Sequence, residues 1–336
     1  MRMSLSMILS LVSLMAVTAC GKTGLHTAVR FRVLNGAEAV RAAFSGTVDE
    51  NGVERIDWEE GDLVRVYSPQ ATPGGEGNLW ADYRVKQVRI DGISSQATVE
   101  PAGKTGLCWG EGAHDFYAVC PSPPEDGGVS LEGNIYNGRV PANQDVTWEG
   151  SEGIPDRTGI CLLAAALGME ESREETVPLL FRPAFTALSF TISLEDKNPV
   201  PLQSFRLESD KGPLAGGFEM TMYNGEERSV TAVRDTSGTI VMDLNRMLRQ
   251  GEPVTFTVLC LPLDVSGLKA VFETGYGTKT LTLSRKDGSP LVFPACHKAR
   301  ITGIVLPGAP DISFTAILDS WEEDGKEIEA TYTDNY

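Results

Sequence analysis

Apolar and polar residues alternate with a period of two along much of the chain. Residues 29–34 read Val, Arg, Phe, Arg, Val, Leu, so Val29, Phe31 and Val33 share one face while Arg30 and Arg32 share the other. The same pattern recurs at 63–67 and 187–194, and further strand-like segments lie at 42–48, 83–90, 97–100, 115–121, 205–208, 217–222, 229–233, 253–261, 269–273, 278–283, 299–306 and 312–318. The 35 glycines and 19 prolines are spread between them as turn residues. Two segments break the alternation. Residues 160–169 form an apolar run with three consecutive alanines, open to a helix or a buried strand, with the strand preferred. Residues 241–248 carry the spacing of a short helix. Regular short strands without long helical patterns predict an all-β chain built from β-sandwiches.

The first residues follow a different rule. Arg2 precedes an apolar stretch over residues 5–17, and Val17, Thr18 and Ala19 then lead into Cys20. Small residues just before a cysteine at this distance form the lipobox of exported bacterial lipoproteins. The apolar stretch is too short to span a bilayer, and no basic stop-transfer flank follows it. Residues 1–19 are therefore expected to be a signal peptide and Cys20 the lipidated residue. One diacyl chain holds only reversibly, so stable attachment requires a further acyl (palmitate) chain on the freed amine. The expected organisation is a linker at 20–28, a first sandwich at 29–175, a second at 176–310 beyond a charged break, and a C-terminal strand with an acidic tail at 311–336.

A formal charge of −17 argues against nucleic acid and against electrostatic docking on anionic lipid. The cysteines include no CxxC pair; Cys108 and Cys120 flank a candidate hairpin and are candidates for a disulfide. His26, His114 and His297 lie in no HExxH motif and near no GxSxG, and Cys296 beside His297 lacks further ligands. No catalytic residue, metal or cofactor is expected. Two acidic loops echo each other, at 58–62 and 321–325, and read as solvated turns with a tucked tryptophan in preference to cation sites. Trp80, Trp109 and Trp148 are open to two readings, a sugar-stacking platform or buried aromatics.

Four segments in order resemble the fimbrillin-like lipoproteins of Bacteroides-type bacteria. Arg41-Ala42-Ala43-Phe44 is followed by Trp58-Glu59-Glu60-Gly61-Asp62-Leu63-Val64-Arg65-Val66-Tyr67, which is similar to that family's W-x-x-G-D-x-I-x-V-Y region. Phe116 to Pro121 resembles its F-x-A-x-Y-P strand, and Val140-Pro141-Ala142-Asn143-Gln144 its L-P-x-x-Q segment. Leu180-Phe181-Arg182-Pro183-Ala184-Phe185 resembles a fourth, although Arg182 and Pro183 stand where a histidine is common. The resemblance spans about residues 20–320.

It implies two transthyretin-like β-sandwich domains in tandem, and a surface lipoprotein that serves as a structural or accessory subunit of a type V pilus. In that family an Arg-specific protease removes an N-terminal strand, and a donor strand from another subunit fills the vacated groove by β-strand addition. Carried over, the cut falls at Arg41, with Arg32 and Arg30 as alternatives. The donor strand comes from the segment bearing Ile312, Phe314, Ala316 and Leu318; if that segment belongs to the second sandwich, the donor is the tail from about 326, or there is none. The implied partners are other pilus subunits and the outer membrane, reached through the lipid on Cys20. The rival reading is a cell-surface lipoprotein that keeps its anchor and binds a host glycan or protein.

Overall fold

The computed structural model of the chain describes residues 27–35, 44–48, 54–56, 58–72, 79–91, 94–124, 130–155, 161–171, 176–209, 212–222, 229–265, 268–285, 291–293, 298–306, 315–319 and 326–332. Among the described residues every regular element is a β-strand. The all-β class expected from the alternation is what the chain adopts.

A first sheet has eight strands, in the order Val177–Leu180, Phe31–Asn35, Ser94–Pro101, Trp80–Asp91, Leu63–Tyr67, His114–Cys120, Leu162–Met169 and Arg182–Pro183. Phe31 and Phe116 stand four strands apart in this order, which in a flat sheet would separate them by about 19 Å. Their ring centroids are 5.1 Å apart. The sheet therefore rolls over, and its inward residues (Phe31, Val33, Val64, Val66, Tyr83, Val85, Phe116) meet as one sandwich core.

A second sheet has twelve strands, in the order Asn143–Gln144, Thr239–Leu248, Val200–Ser209, Leu268–Thr274, Gly277–Arg285, Lys326–Tyr332, Thr315–Asp319, Lys298–Leu306, Thr186–Leu194, Val254–Cys260, Glu152–Pro155 and Val146–Glu149. It rolls further still. Phe190 and Phe205 lie six strands apart yet their rings approach to 4.8 Å, and Phe256 joins Phe205 at 4.9 Å and Phe272 joins it at 5.2 Å. Each aromatic pair contributes about 0.5–1.5 kcal/mol beyond burial. The first and last strands of the order, Asn143–Gln144 and Val146–Glu149, are one residue apart in the chain, so the roll closes on itself. A four-stranded sheet, ordered Ser229–Ser237, Ala215–Thr221, Ile135–Val140 and Ser130–Glu132, contributes Tyr136, Phe218 and Met220 to the contiguous core.

Several expectations are corrected. Residues 241–248 are not helical but lie in strand Thr239–Leu248. A bulge opposite Leu202 and Ser204, with Asn245 at φ 44°, inserts an extra residue. The buried positions are 240, 242, 244 and 248, which keep the two-residue parity of a strand; half-buried Arg246 interrupts them and leaves 244 and 248 four apart, a helical spacing. The run at 162–169 is a strand, and Leu162, Leu163 and Ala164 are buried on both faces, which removes any alternation. A single boundary at 175/176 does not follow the strand pairing. Residues 130–155 pair with strands beyond 200, and Val177–Leu180 and Arg182–Pro183 return to the first sheet. Cys108 and Cys120 do not pair with each other, because Cys120 is a buried thiol. Cys108 bridges Ala28 and Thr72 beyond the start of strand His114–Cys120, at whose other end Cys120 lies. That strand is about 20 Å long at the usual rise per residue, well beyond a disulfide's Cα reach of about 7 Å.

Candidate functional site

The strand Phe31–Asn35 lies inside the first sheet, not at its rim. On one side it runs antiparallel to Ser94–Pro101, with Arg32 opposite Thr98 and Leu34 opposite Gln96. On the other it runs parallel to Val177–Leu180, with Phe31 opposite Val177 and Val33 opposite Leu179. The Val177 N–H donates to the Arg30 carbonyl at 2.8 Å and the Phe181 N–H to the Leu34 carbonyl at 2.9 Å. Upstream, the Val29 N–H donates to the Leu107 carbonyl at 2.9 Å, and the Trp109 N–H to the Thr27 carbonyl at 2.9 Å. Among the described residues Val177–Leu180 has no other hydrogen-bonded neighbour in this sheet, although it also packs against Leu162–Met169.

The side chains sort as the alternation predicts. Val29, Phe31 and Val33 are buried, and Arg30 and Arg32 are exposed. The Phe31 ring, 2% exposed, sits between Tyr83 and Phe116, edge-on to both at 5.1 Å. Tyr83 is itself buried, and its hydroxyl oxygen accepts the Leu107 N–H at 2.7 Å. Burial pushes its ionisation well above the ordinary tyrosine range, with the Leu107 hydrogen bond acting in the opposite direction. The strand, with Val29 just before it, thus turns Val29, Phe31 and Val33 into the sandwich core and carries a backbone ladder on each side. A replacement would have to place apolar side chains at alternate positions.

The other sequence-derived positions fall as follows. Cys20, Arg41, Ile312 and Phe314 lie outside the described residues. Ala316 and Leu318 belong to strand Thr315–Asp319, which pairs with Lys298–Leu306 on one side and Lys326–Tyr332 on the other. Lys326–Tyr332 in turn pairs with Gly277–Arg285. Both proposed donor segments are thus interior strands of the second sheet.

The three tryptophans build no common platform. Trp109 is buried, Trp80 lies under the Arg65 guanidinium in the first sheet, and Trp148 in the second sheet donates its indole N–H to the Leu244 carbonyl at 2.9 Å. His114 is buried and tied into its own loop: its Nε2 accepts the Gly110 N–H at 2.8 Å, which leaves Nδ1–H for the Gly112 carbonyl at 2.8 Å.

The motifs that carried the resemblance have structural work. Trp58 is buried edge-on against Phe181 at 5.1 Å, Gly61 takes φ 105°, which favours glycine, and the Asp62 carboxylate accepts the Glu59 N–H at 3.0 Å. The acidic loop at 58–62 is therefore a tied turn. Gln144 was not anticipated as a key residue. Its amide donates to the Leu259 carbonyl and accepts the Leu259 N–H at 3.0 Å, so one side chain replaces a missing strand where the second sheet closes. The segment quoted as L-P-x-x-Q contained that signal.

The fold is that of rolled β-sandwiches, and solved structures of Bacteroides proteins share it. A proposed cell adhesion protein of Bacteroides ovatus matches with TM-score 0.54 at 14% identity, over 89% of this chain and 99% of that one. A proposed cell adhesion protein of Bacteroides uniformis matches with TM-score 0.51 at 17% identity, over 88% of this chain and 99% of that one. A fimbrial assembly protein of Parabacteroides distasonis aligns with TM-score 0.44 at 11% identity, over 92% of this chain and 100% of that one. No protein-family profile and no curated protein matches the chain in sequence.

Proposed function

We propose that this chain is a fimbrillin-like surface lipoprotein, exported through lipidation of Cys20, which acts without catalysis as a subunit of a type V pilus. It would receive a neighbour's strand after proteolysis removes its own first strand. The observation that carries this reading is the slot of Phe31–Asn35, an interior strand that pairs with Val177–Leu180 on one side and Ser94–Pro101 on the other and whose inward side chains Phe31 and Val33 are buried in the sandwich core. The fold shared with proposed cell adhesion proteins and the order of the four sequence motifs support the same reading.

The slot also ranks the cleavage sites. A cut after Arg30 leaves the strand attached to the body, and a cut after Arg32 divides it. Only a cut beyond Asn35 detaches the whole strand, and Arg41 is the arginine placed for that. Arg30 and Arg32 are exposed, but their backbone is bound into the sheet, and proteases require a locally open segment. Incubation of the full precursor with an Arg-specific protease should yield Ala42 as the new N-terminus, and Arg41→Ala should abolish the cut while Arg30→Ala and Arg32→Ala leave its rate unchanged. A new N-terminus at Phe31 or Val33 would refute release of the strand.

A further inference from the structure

The two C-terminal strands that the sequence offers as donors hold a place in the wall of the second sandwich. The hairpin of Thr315–Asp319 and Lys326–Tyr332 lies between Gly277–Arg285 and Lys298–Leu306. Five residue pairs join it to the first of these, from Leu281 opposite Tyr332 to Arg285 opposite Ile328, and three join it to the second, Arg300 to Thr302 opposite Asp319 to Ile317. Leu281, Leu283 and Ile301 on those flanking strands are buried. The hairpin is the segment across which the twelve-stranded sheet passes from one layer to the other, so its departure would open the sandwich and expose two sheet edges at once.

Nothing cuts it loose either. Residues 301–336 contain no arginine, so an Arg-specific protease cannot separate the hairpin from Lys298–Leu306. The connection between them is only residues 307–314. A segment held by so short a tether returns to its own slot at high effective concentration.

We infer that this chain takes up a neighbour's strand while its own hairpin of Thr315–Asp319 and Lys326–Tyr332 stays in place. This rests on the groove reading above.

Hydrogen–deuterium exchange on the detergent-solubilised full chain, before and after Arg-specific cleavage, tests both readings at once. The expected result is loss of protection in Ser94–Pro101 and Val177–Leu180, with Thr315–Asp319 and Lys326–Tyr332 exchanging within about twofold of their rate in the intact chain. An increase of tenfold or more in the hairpin on cleavage would show it released and overturn the inference while leaving the groove standing. Unchanged protection of Ser94–Pro101 after verified cleavage would instead remove the groove itself, and the accepting role with it. Sedimentation supplies the second readout. Any polymers of the cleaved chain should persist when Thr302→Cys and Ile317→Cys cross-link the hairpin to its neighbour. Polymers that vanish on that cross-link would overturn the inference.

Discussion

The strand Phe31–Asn35 and the hairpin Thr315–Asp319/Lys326–Tyr332 hold the same kind of position near opposite ends of the chain. Each is inserted between two strands of its own sheet. The first strand makes four residue pairs on either side, and the hairpin makes three and five, so the outer ladders are equal in extent. Backbone pairing therefore does not decide which of the two can be exchanged; connectivity does. A cut after Arg41 turns the first strand into a separate peptide, whose loss gains translational freedom and whose local concentration then falls to that in bulk. The hairpin stays covalently joined to a strand it pairs with. A second difference lies in direction. The first strand is parallel to one neighbour and antiparallel to the other, whereas the hairpin is antiparallel to both.

The sharpest way to break this comparison is to weaken each element and ask whether cleavage erases the effect. Phe31→Ala removes a buried ring wedged between Tyr83 and Phe116, and should destabilise the intact chain by about 3–5 kcal/mol in urea unfolding. Against a typical total stability of about 5–15 kcal/mol that is a large loss. After cleavage and removal of the N-terminal segment, variant and parent should unfold at the same urea concentration, because the altered residue has gone. A loss that persists would mean the strand never left.

Ile301→Ala addresses the hairpin side. Ile301 is buried on Lys298–Leu306, opposite Leu318 of the hairpin. A smaller side chain is lost, and the expected destabilisation is roughly 2–5 kcal/mol. This loss should be the same before and after cleavage, since the second sandwich is untouched. If cleavage reduces it by more than half, the two sandwiches are coupled and the hairpin is not an independent wall.

How far the sequence reveals these elements depends on whether the determining contact is local. Alternation at 29–34, 63–67 and 187–194 predicts strands that form, with Val29, Phe31 and Val33 inward as expected. The misreading at 241–248 arises because Arg246 breaks the run of buried alternate residues and leaves 244 and 248 four apart, a spacing that period counting assigns to a helix. The allegiance of 130–155 is invisible for another reason. Tyr136 pairs with Met220 and Gly153 with Phe256, partners about a hundred residues away in sequence, and nothing in the local pattern names them. The candidate groove was half legible. The strand and its inward face could be read, but its parallel partner Val177–Leu180 could not. Of the donor candidates, the alternation of 312–318 indicated a strand, of which 315–318 lie in the described strand Thr315–Asp319, but a strand suited to filling a neighbour's slot has the same pattern as one that completes its own sheet.

The smallest predicted effect separates the two sandwiches by titration. Burial holds the Tyr83 hydroxyl neutral well past the usual tyrosine value of about 10, whereas in the unfolded chain it ionises near that value. Its contribution to stability is therefore complete below about pH 10 and is lost as pH rises from there toward the folded-state value. Phe31 covers one edge of the Tyr83 ring, so release of the first strand lets water reach it and should bring its ionisation down toward the ordinary range. Tyr136 is also raised by burial, foremost, and by its interaction with Cys161, and it packs against Phe218 in the four-stranded sheet, away from the slot. It should ionise equally late before and after the cut. Alkaline phenolate absorbance of the intact and cleaved chains should then show one tyrosine moving from the late class to the ordinary class while another stays late. An unchanged late class would mean that the Tyr83 pocket stays covered without Phe31, and the slot would then have no open aromatic pocket to offer a donor.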